Sequence, residues 1–211
     1  MAEMSMNRVI HRAVRRDLDR FVNALMSFRD GDTRRAAQLQ TAWANFNEQL
    51  TTHHVGEHEI AWPALRSVGV SQDLLDQMDA EHEKLADALA SAGAAMSAFA
   101  ASARVEDAAK AADAVTTLRT VAGEHLDHEE AEIEPVLLAK RDTPELKAMG
   151  RKFARVSPAE AGTLTAWVQD GATEEERAAL RQNIPAPVVA IFNAVFGRKY
   201  RRTISPTWRS A

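Results

Sequence analysis

The chain has no cysteine in its 211 residues. Disulfides, thiolate-bound zinc, iron–sulfur clusters and cysteine nucleophiles are therefore excluded. Any metal here must be held by nitrogen and oxygen. Long apolar runs are also missing. The alanine-rich stretch 86–103 is broken by Asp87, Ser91, Gly93, Ser97 and Ser102, and residues 1–20 hold no apolar segment fit for a signal peptide. The expectation is a soluble, cytoplasmic protein with no membrane partner. A net charge of −4 is mild and argues against a general nucleic-acid binder. One stretch runs the other way: Arg198, Lys199, Arg201, Arg202 and Arg209 occur with no acid among them. It reads as a solvated tail rather than a docking patch for an anionic partner. Glycine-rich phosphate loops and a G-x-S-x-G elbow are absent, so neither nucleotide nor serine-hydrolase chemistry is signalled.

Alanine is abundant and β-branched runs are scarce, which favours helix. Periodicity then defines four helices. The first stripe is His11, Val14, Leu18, Phe21, Leu25 and Phe28, ended by the turn Asp30-Gly31-Asp32-Thr33. The second is Leu39, Trp43, Phe46, Leu50, His53, Glu57, Ile60 and Ala64, with Pro63 marking an end or a kink. Gly69 and a candidate N-cap, Ser71, lead to the third: Leu75, Met78, His82, Leu85, Leu89, Ala92 and Met96. The fourth runs through Val115, Leu118, Ala122, His125, Glu129 and Val136, after a link somewhere near Ser102 to Glu106. Short connections imply antiparallel neighbours, so the predicted fold is all-α: an up-down-up-down four-helix bundle over residues 1–141. Residues 142–211 contain no histidine and predict short helices after Thr143, Ser157 and Thr173. A further apolar helix is predicted after Pro185 and Pro187. We read this region as a helical extension packed on the bundle.

Each stripe carries a histidine where a core position ordinarily holds Leu, Ile or Val. Glu57 and Glu129 lie on the stripes too. Burying two carboxylates with no counter-charge is costly, and a pair of metal ions supplies that charge. The spacing agrees. His53 and Glu57 are i,i+4 on one helix face, as are His125 and Glu129. There is also an internal repeat. His11 and His53 are separated by nearly the same interval as His82 and His125, and His53 precedes Pro63 as far as His125 precedes Pro135. The candidate ligands are His11, His53, Glu57, His82, His125 and Glu129. His54 and His128 flank the core face as extra ligands or as partners supporting one. His58 and Glu132 read as surface residues, Glu59, Glu81 and Glu130 as solvated charges, and Phe21, Trp43, Phe46 and Met78 as core packing.

These residues resemble the hemerythrin-like, HHE cation-binding family. The matching pieces are H-R-A-V-R-R at His11, H-H-V-G-E-H-E-I-A-W-P-A-L from His53, A-E-H-E-K-L around His82 and H-L-D-H-E-E-A-E-I-E-P-V-L from His125. Together they cover about residues 5–140. The resemblance implies two iron ions (Fe2+/Fe3+) sharing an oxo or hydroxo oxygen. His11 and His53 would bind one iron, His82 and His125 the other, with Glu57 and Glu129 bridging. The chain departs from the oxygen-carrying hemerythrins in two places. Those have a second histidine four residues after the third-helix histidine, where this chain has Ala86. Their last helix carries an aspartate five residues after its histidine, where this chain has Glu129 at four.

Imidazoles with hard carboxylates suit iron, and would also accept manganese or zinc. The expected ligand is a small oxidant: O2, H2O2 or NO. The resulting expectation is a stress-defence protein with catalase- or peroxidase-like activity. A position left open by the missing histidine at Ala86 would favour reaction over reversible oxygen carriage. The alternatives are an oxygen, iron or redox sensor that binds without turnover, and iron storage. A ferritin-like site would need Glu-x-x-His motifs, which the chain lacks.

Overall fold

The structure is a computed structural model that describes residues 4–209. Four long helices form the body. α1 (Met6–Met26) starts at Ser5, whose hydroxyl accepts the Arg8 N–H. α2 (Thr33–Gly56) is capped by Asp32, and a π-helical turn, Glu57–Ala61, joins it to α3 (Trp62–Ser67). α4 (Gln72–Ser102) is capped by Ser71, and α5 (Val105–Glu132) is followed by α6 (Glu134–Lys140). Among the described residues there is no strand. The all-helical expectation holds.

α1 packs on α5 and α2, and α4 on α5 and α2. Cross-contacts fix the directions. Arg15 pairs with Asp127 at 2.8 Å and Asp19 with Arg119 at 3.1 Å, so α1 and α5 run antiparallel. The rings of His54 and His82 stack at 4.3 Å, while Gly93 sits under Trp43, which sets α2 antiparallel to α4. At one end the two helix turns are tied together: Gly31 N–H donates to the Ala103 carbonyl and Val105 N–H to Asp30 Oδ1, both at 2.8 Å. Ala103 itself takes a left-handed conformation, φ 51°.

The π turn changes the register of the second stripe. The sequence places Ile60 and Ala64 inward, but they are only half-buried, whereas Ala61, Trp62 and Leu65 are buried. Trp62 N–H reaches back to the Glu57 carbonyl, five residues away. That wider turn also accommodates Pro63, which has no N–H to offer.

The interior holds two apolar clusters. The larger contains Leu18, Phe21, Leu39, Trp43, Phe46 and Leu50 with their partners on α4 and α5. Phe21 meets Trp43, Phe46 and Trp208 edge-on at 5.0–5.7 Å. The smaller is built from Trp62, Leu65, Leu75, Met78 and Ile133. Among the described residues, α4 is the one helix that length and composition would allow to span a membrane. Here its apolar stripe of Leu85, Leu89, Ala92 and Met96 is buried in the larger cluster.

After residue 141 come α7 (Pro144–Phe153), α8 (Pro158–Gln169), α9 (Glu174–Asn183) and α10 (Ala186–Ile191). A π turn at Phe192–Phe196, α11 (Arg198–Thr203) and a 3-10 turn at Ser205–Trp208 follow. Complete capping boxes open α8 (Ser157, Glu160) and α9 (Thr173, Glu176). α8 and α9 lie on α1. Trp167 Nε1 donates to the buried Asp17 at 2.7 Å, and Arg35 to the Thr207 carbonyl at 2.6 Å. The basic stretch is therefore not a solvated tail. Tyr200 and Ile204 are buried in the larger cluster, while Arg198, Lys199, Arg202 and Arg209 are exposed. Gly162 makes this packing possible, because a Cβ there would lie 2.7 Å from the Phe196 carbonyl carbon.

Candidate metal centre

Between the two apolar clusters lies one polar layer. Residues 53 and 54 follow Leu50 on α2 and residue 57 opens the π turn after it, while residue 82 separates Met78 from Leu85 on α4. On α5, residues 125 and 129 precede Ile133, and His11 comes from α1. The i,i+4 spacings read from the sequence set these side chains on the inward faces of adjacent turns.

The donors gather as two groups that share one glutamate. In each group every ligand atom lies within 4.8 Å of the others. The first is His11, His53, Glu57 and Glu129; the second is His54, Glu57, His82 and His125. Glu57 Oε1 is 3.1 Å from His53 Nε2, and Oε2 is 3.4 Å from His82 Nε2. Glu129 Oε2 is 3.1 Å from His11 Nε2. Glu57 and Glu129 are 3% and 1% exposed, so their charge cannot be screened by water.

What these atoms lack identifies the guest they suit. The Nε2 atoms of His11, His53 and His54, both oxygens of Glu57 and Glu129 Oε2 are buried without a hydrogen-bond partner. His82 Nε2 faces His125 Nε2 at 3.1 Å. Each orphaned buried polar atom costs of order 1–3 kcal/mol. Converging nitrogen and oxygen lone pairs are the donor set of a borderline-to-hard cation, and the residues fit a pair of such ions. Protonation follows from the same crowding. Burial first, then mutual repulsion, lowers His53 to about 3 and His82 to about 4; His54 and His125 are lowered too. These imidazoles are thus neutral, as metal ligands must be. Burial and then the neighbouring Glu129 push the Glu57 carboxyl well above the usual range. Burial would raise Glu129 as well, but His11 beside it prevails and holds it down.

Two residues assigned to solvent turn out to hold histidines of the polar layer. Glu81 Oε2 accepts from His125 Nδ1 at 3.0 Å, and its Oε1 accepts from His128 Nδ1 at 2.8 Å. Glu130 Oε1 accepts from His11 Nδ1 at 3.2 Å and is itself held by Arg8 and Arg15. Placing the proton on Nδ1 leaves Nε2 free to face the centre. Each of these carboxylates directly neighbours a site residue in sequence, Glu81 beside His82 and Glu130 beside Glu129. It supports a histidine on the adjacent helix. The dipeptides were the available signal, but an acid beside a stripe ordinarily reads as solvated.

The remaining assignments separate. His54 joins the second group. His128 joins neither; its ring is partly exposed and engaged by Glu81. His58 is exposed and pairs with Asp79 at 3.0 Å, while Glu59 and Glu132 are exposed. Asp79 also accepts from Trp62 Nε1 at 2.7 Å, and the Trp62 ring lies nearly parallel to His82 at 5.7 Å. Ala86 is exposed, so a histidine there would point away from the layer. His54, on α2, lies in the second group instead.

No curated protein and no solved structure gives a significant match to this chain. The family model for the hemerythrin HHE cation-binding domain matches residues 7–137. That span holds every donor of both groups and is more than half the chain, so the protein belongs to the hemerythrin HHE cation-binding domain family.

Proposed function

We propose that this is a non-haem di-iron protein. Its centre binds or reacts with a small oxidant (peroxide, nitric oxide or dioxygen) in cytoplasmic defence against oxidative or nitrosative stress. One observation carries the reading: six orphaned donor atoms converge in a buried layer sealed by apolar clusters on both sides. His11, His53, Glu57 and Glu129 would hold one ion, and His54, His82, His125 and Glu57 the other. Bound iron supplies exchangeable coordination positions and the ability to trade two electrons with an oxidant. The chain's own part is positional. Glu81 and Glu130 fix imidazole tautomers, Trp62 covers the His82 ring, and the flanking clusters keep bulk water out.

Protein purified in air after growth with ample iron should contain close to two irons per chain and absorb in the near ultraviolet. It should consume peroxide, whereas the metal-free form should not. One zinc per chain, or no metal, would overturn the di-iron reading. Two irons with stable, reversible oxygen binding and no peroxide consumption would replace reaction by carriage.

A further inference from the structure

The last part of the chain carries charge of one sign only. No Asp or Glu follows Glu176, and residues 182–197 hold no charge at all before Arg198, Lys199, Arg201 and Arg202. Packing puts this stretch on the outside: the π turn at Phe192–Phe196 and α11 lie on α8, which lies on α1. Val189, Tyr200 and Ile204 are buried, and Arg201 donates to the Asn193 carbonyl and side-chain oxygens. Another side is left open. Val188, Ile191 and Val195, spaced three and four residues apart, are 37%, 56% and 49% exposed, and Phe196 is 38% exposed. Over the next two turns Arg198, Lys199 and Arg202 are exposed and form no ion pair among the described residues.

We infer that this side of the extension is a docking surface for an anionic lipid bilayer. It is independent of the metal centre and departs from the expectation of no membrane partner. An interfacial helix lays apolar side chains at the acyl boundary and sets cations among the headgroup phosphates. Val188, Ile191, Val195 and Phe196 supply the first part; Arg198, Lys199 and Arg202 supply the second. The apolar run Ala186–Phe196 is too short to cross a bilayer, so it lies on the surface. Each cation near an anionic leaflet strengthens binding by about fivefold. The chain's net charge of −4 does not cancel this, because charges beyond about 10 Å are screened at ordinary salt. A second copy of the chain fits less well, since facing copies would bring their unpaired cations together. A nucleic acid would engage the cations through its phosphates and leave the apolar side chains uncovered.

The test is co-sedimentation of the full chain with vesicles of phosphatidylcholine alone and of phosphatidylcholine mixed with phosphatidylglycerol. Binding to the mixed vesicles should be tighter by about tenfold or more, and should weaken sharply at about 1 M salt, where the Debye length is about 3 Å. Lys199→Gln with Arg202→Gln should weaken it by about 20-fold, two cations at about fivefold each. Ile191→Ser with Val195→Ser should weaken it by about tenfold or more. Lys84→Gln, exposed on α4, should change it by less than about twofold. All five side chains are exposed, and unchanged helical circular dichroism would certify that each variant folds. No binding to the mixed vesicles at low salt would overturn the inference. So would equal binding to both kinds of vesicle, or binding that either double variant leaves intact. A dimer that Ile191→Ser with Val195→Ser dissociates, in the absence of vesicle binding, would assign the surface to a second copy instead. Binding of poly(U) RNA as tight as that of vesicles, and indifferent to Ile191→Ser with Val195→Ser, would assign it to a nucleic acid.

Discussion

The larger apolar cluster and the polar layer beside it are built from the same four helical stripes, yet they close differently. Between Leu39 and Leu50 the apolar inward side chains find one another: Phe46 is fully buried against Phe21 and Trp43. One turn later the stripe carries His53 and Glu57, whose inward atoms find nothing in the protein that satisfies them. The first region is complete as a polypeptide. The second is complete only with a guest. Fold and centre can therefore be perturbed independently, and that difference can be tested.

The largest effect on stability should come from the complete region. Phe46→Ala removes a fully buried ring and should cost about 3–5 kcal/mol in urea unfolding, by the same amount with and without metal. A cost that appears only in metal-loaded protein would erase the distinction between the two regions.

Acidification should come next, acting on the metal-free layer. Four imidazoles (His53, His54, His82 and His125) have folded pKa values depressed below 6.5. The unfolded chain binds protons there that the folded chain refuses. Stability is then lost as pH falls from about 6.5 toward the folded values of about 4 and 3 for His82 and His53. Each unmatched proton contributes about 1.4 kcal/mol per pH unit. The raised Glu57 acts in the opposite sense, and so does the raised His11 at higher pH, but the four depressed imidazoles outnumber them. The urea midpoint of metal-free protein should drop between pH 7.5 and 5.5. A flat profile would mean that the imidazoles are hydrated rather than buried.

The smallest stability change should accompany the largest change in composition. Glu57→Gln replaces a carboxyl whose neutral form is favoured by burial and by the neighbouring Glu129 with an isosteric amide. Metal-free stability should move by less than about 1 kcal/mol. Metal content should fall below one ion per chain, because both groups lose their shared ligand. Elemental analysis alongside the urea curve would show both. Retention of two ions would remove Glu57 from the centre.

Most of this was legible in the sequence because helical periodicity and ligand spacing obey the same geometry. His11, His53, His82 and His125 stand out as histidines in leucine positions, and the i,i+4 glutamates follow. The α4–α5 link was blurred because its turn uses Ala103 in a left-handed conformation where glycine would have been conspicuous. His54 was ambiguous, since a residue adjacent to a ligand on one helix points about 100° away from it. Only the approach of α4 and α5 decides that its ring still reaches the layer. Glu81 and Glu130 were misread because their partners are on other helices. The docking of Trp167 on Asp17 was invisible for the same reason: one aspartate within α1 gives no hint that a tryptophan 150 residues later will donate to it.

The π turn after Glu57 acts as a phase shifter. Inserting one residue into an α-helix advances everything beyond it by about 100°. The face that carries Leu50, His53 and Glu57 therefore does not continue to Ile60 and Ala64; it resumes at Ala61, Trp62 and Leu65. The segment up to Glu57 keeps the angular setting that brings its side chains into the donor groups, while the segment after it takes the setting that lays Trp62 over His82. Loss of a single residue from this stretch would leave the donors upstream in place and swing the indole cover off the centre. Length, rather than residue identity, is what the chain must preserve between Glu57 and the indole that covers His82.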